Sequence, residues 1–428
     1  MAQQRTQQQI QPQIQQQPRQ QVQQQPRQPH IPQKRTQRRQ VNPQQPANKD
    51  HSRALRIVAV LLLVLVLIAG GAAAGVLTGL IALPGEEQGE GTAQDDSQEG
   101  ATENGEQNSE VAFSVSEDTY NPPTTITISF AGDCTLGTDE NFSYSGSFTQ
   151  YYDENGADYF FAGVKDIFAA DDLTVVNCEG VLTNATTRDD KEYAYKGKPE
   201  YAEIFARSSI ECTGIWNNHI YDYGWGSRGD TIDALENAGL VVFGDEIIGY
   251  TEVKGVKIAL IAGNMLTTGL SEENNVIPRI YEAQSQGAQI IIVQMHWGEM
   301  SEYNPTDAQI QLARDCIDAG ATIVEGSHQH VLQGYEEYNG HYIVYGLGNF
   351  CYGGSRGLFD PDCYIFQQTF TLIDGEIQPA DSSSINVIPC LISSDRSVNN
   401  YQPVVVDGDE AARVEGKIED SNAYIAAW

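Results

Sequence analysis

Histidine residues concentrate in three short polar motifs. Five of the seven histidines follow residue 83, and four of these five belong to the motifs. An imidazole is the commonest neutral metal ligand and the side chain that titrates nearest to physiological pH. The sequence therefore predicts a metal site built from these motifs, which are Asn217-Asn218-His219, His296-Trp297-Gly298 and His328-Gln329-His330.

Two carboxylates follow short apolar runs and add oxygen ligands to this set. Asp133 comes soon after residues 124–131, and Glu179 comes soon after residues 173–176. Carboxylate and amide oxygens combined with imidazole nitrogens suit Mn²⁺, Fe or Zn²⁺ rather than Ca²⁺ or a thiolate cluster. We expect one or two such ions, held by Asp133, Glu179, Asn218, His296, His328 and His330.

Such a site is typical of a hydrolase. Two cations about 3.5–4 Å apart polarise a phosphoryl or carbonyl oxygen and generate a hydroxide nucleophile. His219, adjacent to a ligand but not needed as one, is the candidate to protonate the leaving oxygen. Each motif is weak alone, since a Gly-Asp pair most often makes a turn and a His-x-His run can be an ordinary strand. Their order along the chain carries the interpretation.

The elements that must position these residues alternate between strands and helices. Because ligands gather outside the carboxyl ends of strands in an α/β sheet, polar motifs that follow apolar runs predict such a sheet. Asn339-Gly340 and Asp374-Gly375 predict hairpin turns, so the second half is β-rich. The predicted strands are 124–131, 173–176, 210–216, 241–244, 256–262, 290–294 and 322–324, and the predicted helices are 227–238, 277–284 and 307–319.

The chain before residue 121 divides into three zones by composition. Residues 1–56 hold ten Lys/Arg and one acid among Gln and Pro, which predicts a disordered tail. Residues 57–83 are 27 residues without a charge and predict a transmembrane helix. Residues 84–120 are acidic and polar and predict a flexible linker. We expect a domain at 121–395 and a C-terminal extension at 396–428, for which the sequence predicts no structure.

Flanking charge predicts the orientation of the span. Lys49, Arg53 and Arg56 precede it, whereas residues 84–118 hold eleven acids and no base. The positive-inside rule then places the amino terminus in the cytoplasm and the large domain outside the cell. A cleaved signal peptide is the alternative, but its apolar region would be about 7–15 residues long. The uncharged run continues well beyond that length.

The large domain is strongly acidic. Residues 121–428 hold 46 acids and 15 bases, a formal charge of −31, which excludes nucleic acid as an expected partner. The densest basic cluster is Lys191, Lys196 and Lys198, which we interpret as a rim for an anionic substrate, with a solvated loop as the alternative. All seven cysteines lie in this domain without a CxxC motif. Pairing of Cys351 with Cys363 stays open.

The joint pattern resembles the CapA family of capsule or poly-γ-glutamate biosynthesis proteins, which have a calcineurin-like metallophosphoesterase fold. The resemblance covers about residues 124–375. The matching stretches are Phe130-Ala131-Gly132-Asp133, Asn177-Cys178-Glu179, Asn217-Asn218-His219, Asp222-Tyr223-Gly224, His296-Trp297-Gly298, the run from Gly326 to Val331 and the run from Tyr345 to Phe350.

The resemblance implies a four-layer α/β sandwich that uses the six ligands above, with His219 as the leaving-group histidine. Thr135 stands where the wider superfamily has a histidine two residues after the first aspartate, so one metal would lack a ligand. Glu179 stands where a bridging aspartate is usual. Gln329 stands where many relatives have proline, and we expect this difference to matter little.

Two functions from different classes are compatible with this sequence. The first is a membrane-anchored extracellular metallohydrolase that acts on an envelope polymer or phosphoester, in capsule or poly-γ-glutamate synthesis or as a general envelope phosphoesterase. The second is a non-catalytic subunit that binds the anionic polymer or a polyglutamate synthase complex through the metal site. His219 favours the enzyme, and Thr135 favours the binding subunit.

Overall fold

The structure, a computed structural model, describes residues 122–428. Most of its strands alternate with helices in the first part of this region, and the later part is mainly β. The strands are β1 (Thr124–Thr135), β2 (Thr138–Asp139), β3 (Leu173–Cys178), β4 (Val181–Leu182), β5 (Tyr195–Gly197), β6 (Cys212–Gly214), β7 (Val241–Phe243), β8 (Gly249–Val253), β9 (Val256–Asn264), β10 (Ile290–His296), β11 (Ile323–Ser327), β12 (Tyr335–Tyr338), β13 (His341–Val344), β14 (Asn349–Tyr352), β15 (Asp362–Ile373), β16 (Glu376–Ile377), β17 (Ile385–Leu391) and β18 (Val404–Val405).

The helices differ widely in length. Thr306 begins one of the longer ones with a capping box, in which its side chain accepts from the backbone of Gln309 and the Gln309 side chain accepts in return. The helices are α1 (Phe148–Asn155), α2 (Lys165–Phe168), α3 (Ala202–Ala206), α4 (Gly226–Asn237), α5 (Met265–Thr268), α6 (Glu273–Ser285), α7 (Asp307–Asp318) and α8 (Gly408–Ile425), with 3₁₀ turns at Ala157–Tyr159, Pro199–Tyr201 and Gly269–Glu272.

The strands form two large sheets and one small sheet. The first sheet has the order β18-β17-β15-β1-β3-β6-β7, with β14 beside β1 and β16 beside β15. Its strands β1, β3, β6 and β7 are parallel. The second sheet has the order β12-β13-β11-β10-β9-β8, in which β9, β10, β11 and β13 are parallel. The small sheet has the order β2-β5-β4.

The two large sheets pack face to face, with helices on their outer faces. One apolar cluster joins Ile128 and Val175 of the first sheet to Ile258 and Ile292 of the second, so it lies between them. A second cluster joins the first sheet to α1–α4, and a third joins the second sheet to α6 and α7. The predicted mixed α/β architecture is confirmed, and this layer order is consistent with a calcineurin-like fold.

The predicted elements agree with the observed ones, apart from their boundaries. Strands β1, β3, β10 and β11 run a few residues further than expected and include Asp133, Asn177 and His296. Both predicted hairpin turns are present, between β12 and β13 and between β15 and β16. The extension at 396–428, for which no structure was predicted, contains β18 and α8.

The predicted tail, transmembrane helix and linker at 1–56, 57–83 and 84–120 lie outside the described residues. Within 122–428, none of the helices combines the length and the apolar character needed to cross a bilayer. All seven cysteines in this part are buried and free, and Cys363 lies opposite Cys390 rather than Cys351 in the sheet register.

Candidate metal centre

Asp133 lies near the carboxyl end of β1, where the strand register is interrupted. The pairing of β1 with β3 shifts between Ala131 and Asp133. Gly132 is required here, because a Cβ atom at this position would lie 1.9 Å from the carbonyl oxygen of Gly348. Such a bulge re-aims the following side chain. The Asp133 carboxylate is buried and accepts from Asn177 Nδ2 at 2.7 Å and from the His328 backbone N–H at 3.1 Å.

Glu179 follows β3 and lies at the centre of the predicted ligand set. Its side chain is fully buried, and its Oε1 atom approaches the Nε2 atoms of three histidines. The distances are 3.7 Å to His296, 3.8 Å to His330 and 3.9 Å to His219. The sequence motifs therefore converge on one carboxylate oxygen.

His296 ends β10 and contacts Asn218 from the loop after β6. Its Nε2 lies 2.8 Å from Asn218 Oδ1, and its Nδ1 lies 3.0 Å from Ser327 Oγ. An amide oxygen only accepts, so Nε2 carries the hydrogen in this arrangement and Nδ1 accepts from the serine. A cation bound here would replace that hydrogen and be shared by His296 and Asn218.

His328 and His330 lie in a strained turn after β11. Both residues adopt positive φ angles, 102° and 58°, which are uncommon for residues other than glycine. The turn brings both imidazoles to the same site, with ring centroids 5.9 Å apart. His330 Nδ1 donates to Asn349 Oδ1 at 2.9 Å, so its Nε2 is left free to face Glu179.

Two buried atoms of this cluster fit a metal ion. Among residues 122–428, Glu179 Oε1 and His328 Nδ1 are buried without a hydrogen-bond partner. Unpaired buried polar atoms are costly, and a coordinated cation would satisfy both. Ligand atoms lie within 4.8 Å of one another in two groups, Glu179 with His296 and His328, and Asp133 with Glu179 and His330. Since both groups contain Glu179, two cations would share its carboxylate.

The carboxyl groups favour their protonated forms in the absence of a cation. Burial raises the pKa of Glu179 well above its usual value, and the charges of Asp133 and Asp222 add to the effect. Burial also raises the pKa of Asp133, although His330 and the hydrogen bond from Asn177 oppose the change. A divalent cation would reverse this balance, because it stabilises both carboxylates.

The imidazoles of His296 and His328 favour their neutral, ligating forms. Burial lowers the pKa of His328 to about 3, with His330 and His219 contributing further. Burial also lowers the pKa of His296 well below its usual value, and repulsion from the neighbouring histidines adds a smaller effect. The 3.7 Å contact between His296 and Glu179 is therefore not an ion pair.

His219 is held differently from the other histidines. Its Nδ1 donates to Asp222 Oδ2 at 2.6 Å, so Nε2 is the atom that faces Glu179. Asp222 is buried and also accepts from Lys191 Nζ at 2.6 Å and from the Tyr195 backbone N–H at 2.6 Å. Burial lowers the pKa of His219, and the hydrogen bond to Asp222 opposes that change.

The three predicted substrate-binding lysines do not lie together. Lys191 reaches the metal centre through Asp222 and through the backbone carbonyl oxygen of Asn218, which lies 3.0 Å from its Nζ atom. Lys196 and Lys198 instead line a separate cleft of about 290 Å³ behind β5, together with Thr138, Glu140, Thr149, Thr183 and Asn184. Lys196 donates to the Ala185 carbonyl oxygen, and Lys198 approaches Asp153 at 3.3 Å.

Several residues that support the site were not assigned a role from the sequence. Asn177, Asp222 and Asn349 orient Asp133, His219 and His330, and each belongs to a motif stretch, which was the available signal. Gln329, which was expected to matter little, also makes hydrogen bonds that support the site. It is buried and donates from Nε2 to the carbonyl oxygens of Trp297 and Tyr345, both at 3.2 Å. Tyr195 and Tyr352, which flank His219 and His330, carried no sequence signal.

All of these residues lie within a region shared with known proteins. Residues 127–353, more than half of the chain, match the family described as bacterial capsule synthesis protein PGA_cap. The chain belongs to this family. The CapA resemblance read from the motifs is thereby confirmed, and every predicted site residue falls inside the matched region.

Three relatives are similar to this chain over part of their own length. The chain is 34% identical over 249 residues to the PGA biosynthesis protein CapA of Bacillus subtilis (strain 168), covering 53% of this chain and 63% of that protein. It is 30% identical over 223 residues to the capsule biosynthesis protein CapA of Bacillus anthracis, covering 46% and 54%. A probable polyglutamine synthesis accessory protein of Mycobacterium tuberculosis (strain CDC 1551 / Oshkosh) is 24% identical over 213 residues, covering 42% and 55%. The chain thus spans less than two thirds of the length of these relatives.

Proposed function

We propose that this protein acts in capsule or poly-γ-glutamate synthesis or export and carries a metal-dependent hydrolase site. The observation that supports the chemistry is the environment of Glu179 Oε1, which is buried and lies within 3.9 Å of three imidazole Nε2 atoms. Among residues 122–428 this atom has no hydrogen-bond partner. The biological setting comes from the names of the two Bacillus relatives.

The donor set fits Mn²⁺, Fe or Zn²⁺, with one or two ions held by the carboxylates, the Asn218 carbonyl and the imidazoles of His296, His328 and His330. A bound cation of this kind supplies a Lewis acid that polarises a phosphoryl or carbonyl oxygen and activates water. Asn177 and the His328 backbone N–H each donate to one oxygen of Asp133, so each oxygen keeps lone-pair capacity that could bind a cation.

His219 handles the proton in this proposal. Its Nδ1–H is fixed on Asp222, so any proton taken up or released in the reaction resides on Nε2, the atom nearest to Glu179. In the protonated form, Nε2–H donates to the leaving oxygen, and Asp222 stabilises the imidazolium. Lys191 holds Asp222 in place from its other oxygen.

A second function has one specific observation in its favour. Thr135 lies at the position of the superfamily histidine, and its Oγ1 is 3.5 Å from Glu179 Oε2, so it adds no nitrogen ligand there. A site with a weaker second cation suits a non-catalytic subunit that binds an anionic polymer or a polyglutamate synthase. The mycobacterial relative, named a synthesis accessory protein, agrees with such a subunit.

The location of the large domain outside the cell is also a proposal. The uncharged run at 57–83 and the charge asymmetry around it support a single-pass anchor with a cytoplasmic amino terminus and an extracellular domain. The −31 charge of residues 121–428 would repel a polyanionic polymer at long range. Cations bound at the metal centre would offset that repulsion locally.

The deciding experiment is hydrolysis by the purified full-length chain in detergent, stripped of metal and reloaded with Mn²⁺. Phosphomonoesters, phosphodiesters and poly-γ-glutamate serve as substrates, and His219→Ala should abolish most of the turnover. His341→Ala is the matched control, because the Nδ1 of this histidine bonds to the Thr322 carbonyl oxygen, outside the site. Equal hydrolysis by wild type and His219→Ala would refute the enzyme, and polymer binding without hydrolysis would favour the subunit.

A further inference from the structure

Two tyrosines close one side of the metal centre. The ring of Tyr195 lies 4.5 Å from the ring of His219, and the ring of Tyr352 lies 5.2 Å from the ring of His330, measured between centroids. Their hydroxyl oxygens are 3.2 Å apart. The pair therefore bridges two of the imidazoles that approach Glu179 Oε1.

Each of the two hydroxyls carries one hydrogen, but the hydrogen bond between them uses only one of the two. A hydrogen bond between two phenols uses one O–H as donor and leaves the other O–H without an acceptor. Within residues 122–428, neither hydroxyl has another hydrogen-bond partner. A phenol has an ordinary pKa of about 10, so both hydroxyls carry their hydrogens at physiological pH. One neutral O–H donor is thus available at this side of the site.

Gly354 and Thr135 lie next to the tyrosine pair. Gly354 backs the pair, since a Cβ atom there would lie 2.5 Å from the Tyr352 hydroxyl oxygen and 2.9 Å from Tyr195 Cζ. Thr135, paired with Tyr352 in the sheet register, adds a third hydroxyl 3.5 Å from Glu179 Oε2. This side of the site therefore carries hydroxyl groups, one of them from Thr135, which stands where the wider superfamily has a histidine.

We propose that the Tyr195–Tyr352 pair binds an anionic oxygen of the substrate, either a phosphoryl or a carboxylate oxygen, beside the metal ligands. This inference rests on the proposed function and names the chemistry of its substrate. A neutral donor has no net charge, so it attracts Asp133 and Glu179 less strongly than an ammonium group, which would compete with the cation for them. Lys191, which lies 3.4 Å from His219 Nδ1, is held by Asp222.

The test measures binding of two probes, inorganic phosphate and glutarate, to the full-length chain loaded with Mn²⁺. Each single variant, Tyr195→Phe or Tyr352→Phe, leaves one hydroxyl free to donate, so each should lose little affinity. The double variant should bind the responding probe about 10-fold to 100-fold more weakly, as expected for a lost hydrogen bond to a charged group. The probe that responds identifies the oxyanion.

Tyr193→Phe is the matched control, because its ring lies next to Tyr195 but its hydroxyl is not part of the pair. The Mn²⁺ content should stay at the wild-type level in every variant, and a loss of metal in the double variant would overturn the inference. Unchanged probe binding in the double variant would overturn it as well. Gly354→Ala, which displaces the hydroxyls, should weaken probe binding even where the double variant does not fold.

The outcomes separate this inference from the proposed function. A wild-type chain that binds Mn²⁺ but neither probe would overturn the inference and leave the metal centre in place. A wild-type chain that binds no Mn²⁺ would refute the proposed function. The same titrations on that metal-free chain would then decide the inference, which is supported if binding depends on the two hydroxyls and overturned if it does not.

Discussion

Gln329 and Trp297 are joined by a hydrogen bond of 3.2 Å from the glutamine Nε2 to the tryptophan carbonyl oxygen. This contact links the turn between His328 and His330 to the residue that follows His296. The backbone of Gln329 adds to the link, because its carbonyl oxygen accepts from the Ser301 N–H at 2.8 Å. The position of the His328–His330 turn relative to His296 therefore depends on Gln329, which is not itself a predicted ligand.

Gln329→Met should loosen this arrangement. The change keeps the side-chain volume but removes both amide donors, and a lost buried partner typically costs about 1–3 kcal/mol. We expect a lower free energy of unfolding in urea and weaker Mn²⁺ binding in a titration. Gln311→Met, on the exposed side of α7, is the control and should change neither quantity. Wild-type metal affinity in Gln329→Met would show that the turn holds its shape without the amide.

Asn218 and His219 are adjacent but should respond differently to substitution. Asn218→Ala should lower metal content and turnover together, because it removes the carbonyl oxygen next to His296 Nε2. His219→Ala should keep the metal and lower turnover by about 10²–10⁴-fold if the imidazole is a general acid. Metal content by elemental analysis and steady-state rates distinguish the two. A loss of metal in His219→Ala would make this residue a ligand instead.

Metal affinity should fall as the pH falls, and the protons responsible should come mainly from carboxyl groups. The sequence alone suggests competition in the histidine range, but burial already keeps His328 neutral down to a pKa of about 3. Glu179, whose pKa is raised well above its usual value, must instead release its proton to bind a cation. Below that pKa, Mn²⁺ affinity should drop about 10-fold per pH unit for each proton displaced. Affinity that is independent of pH from 5 to 8 would contradict this explanation.

Glu325 predicts a pH dependence of stability in the metal-free protein. Burial raises its pKa to about 8, and Gln294 Nε2 donates to its Oε1 at 2.5 Å. The folded chain then holds a proton that the unfolded chain releases above its ordinary pKa of about 4.3. Stability should fall as the pH rises from there towards 8, by up to about 1.4 kcal/mol per pH unit. Glu325→Gln should flatten this part of the curve in urea unfolding, and an unchanged slope would exclude Glu325 as its source.

The proposed topology can be tested in intact cells. Added protease should release the region 121–428 into the medium, because the linker at 84–120 is expected to lie outside the membrane. An epitope within residues 1–50 should stay protected until the cells are lysed. Protection of the large domain would reject the extracellular assignment.

The convergence of the predicted ligand residues could be foreseen because of how parallel sheets are built. Asp133, Glu179 and His296 each lie at or just after the carboxyl end of a strand that is readable as an apolar run, so their convergence follows from the strand order. The conformations of the connecting turns were not predictable. His328 adopts a positive φ angle and donates its backbone N–H to Asp133 on another strand, and neither feature is readable from the local sequence.

The tyrosine pair shows what local patterns miss. Tyr195 and Tyr352 are 157 residues apart and come from β5 and β14, neither of which was predicted as a strand. Their pairing depends on tertiary packing around Gly354, which has no signature in either segment. The docking of α8 is similar. Arg413 and Lys417 bind Asp362 at the start of β15, a partner that spacing does not reveal.

The position of β15 beside β1 means that the evolutionary unit and the folding unit of this protein have different ends. The family match stops at residue 353, yet Asp133 is carried by a strand whose other neighbour begins at Asp362. Ser421 and Asn422 of α8 accept the backbone N–H groups of Gly334 and Tyr335, a few residues after His330. A chain shortened to residues 127–353, the bounds of the family match, would retain every predicted ligand. It would lack β15, so β1 would be exposed as an edge strand that is prone to association with other chains.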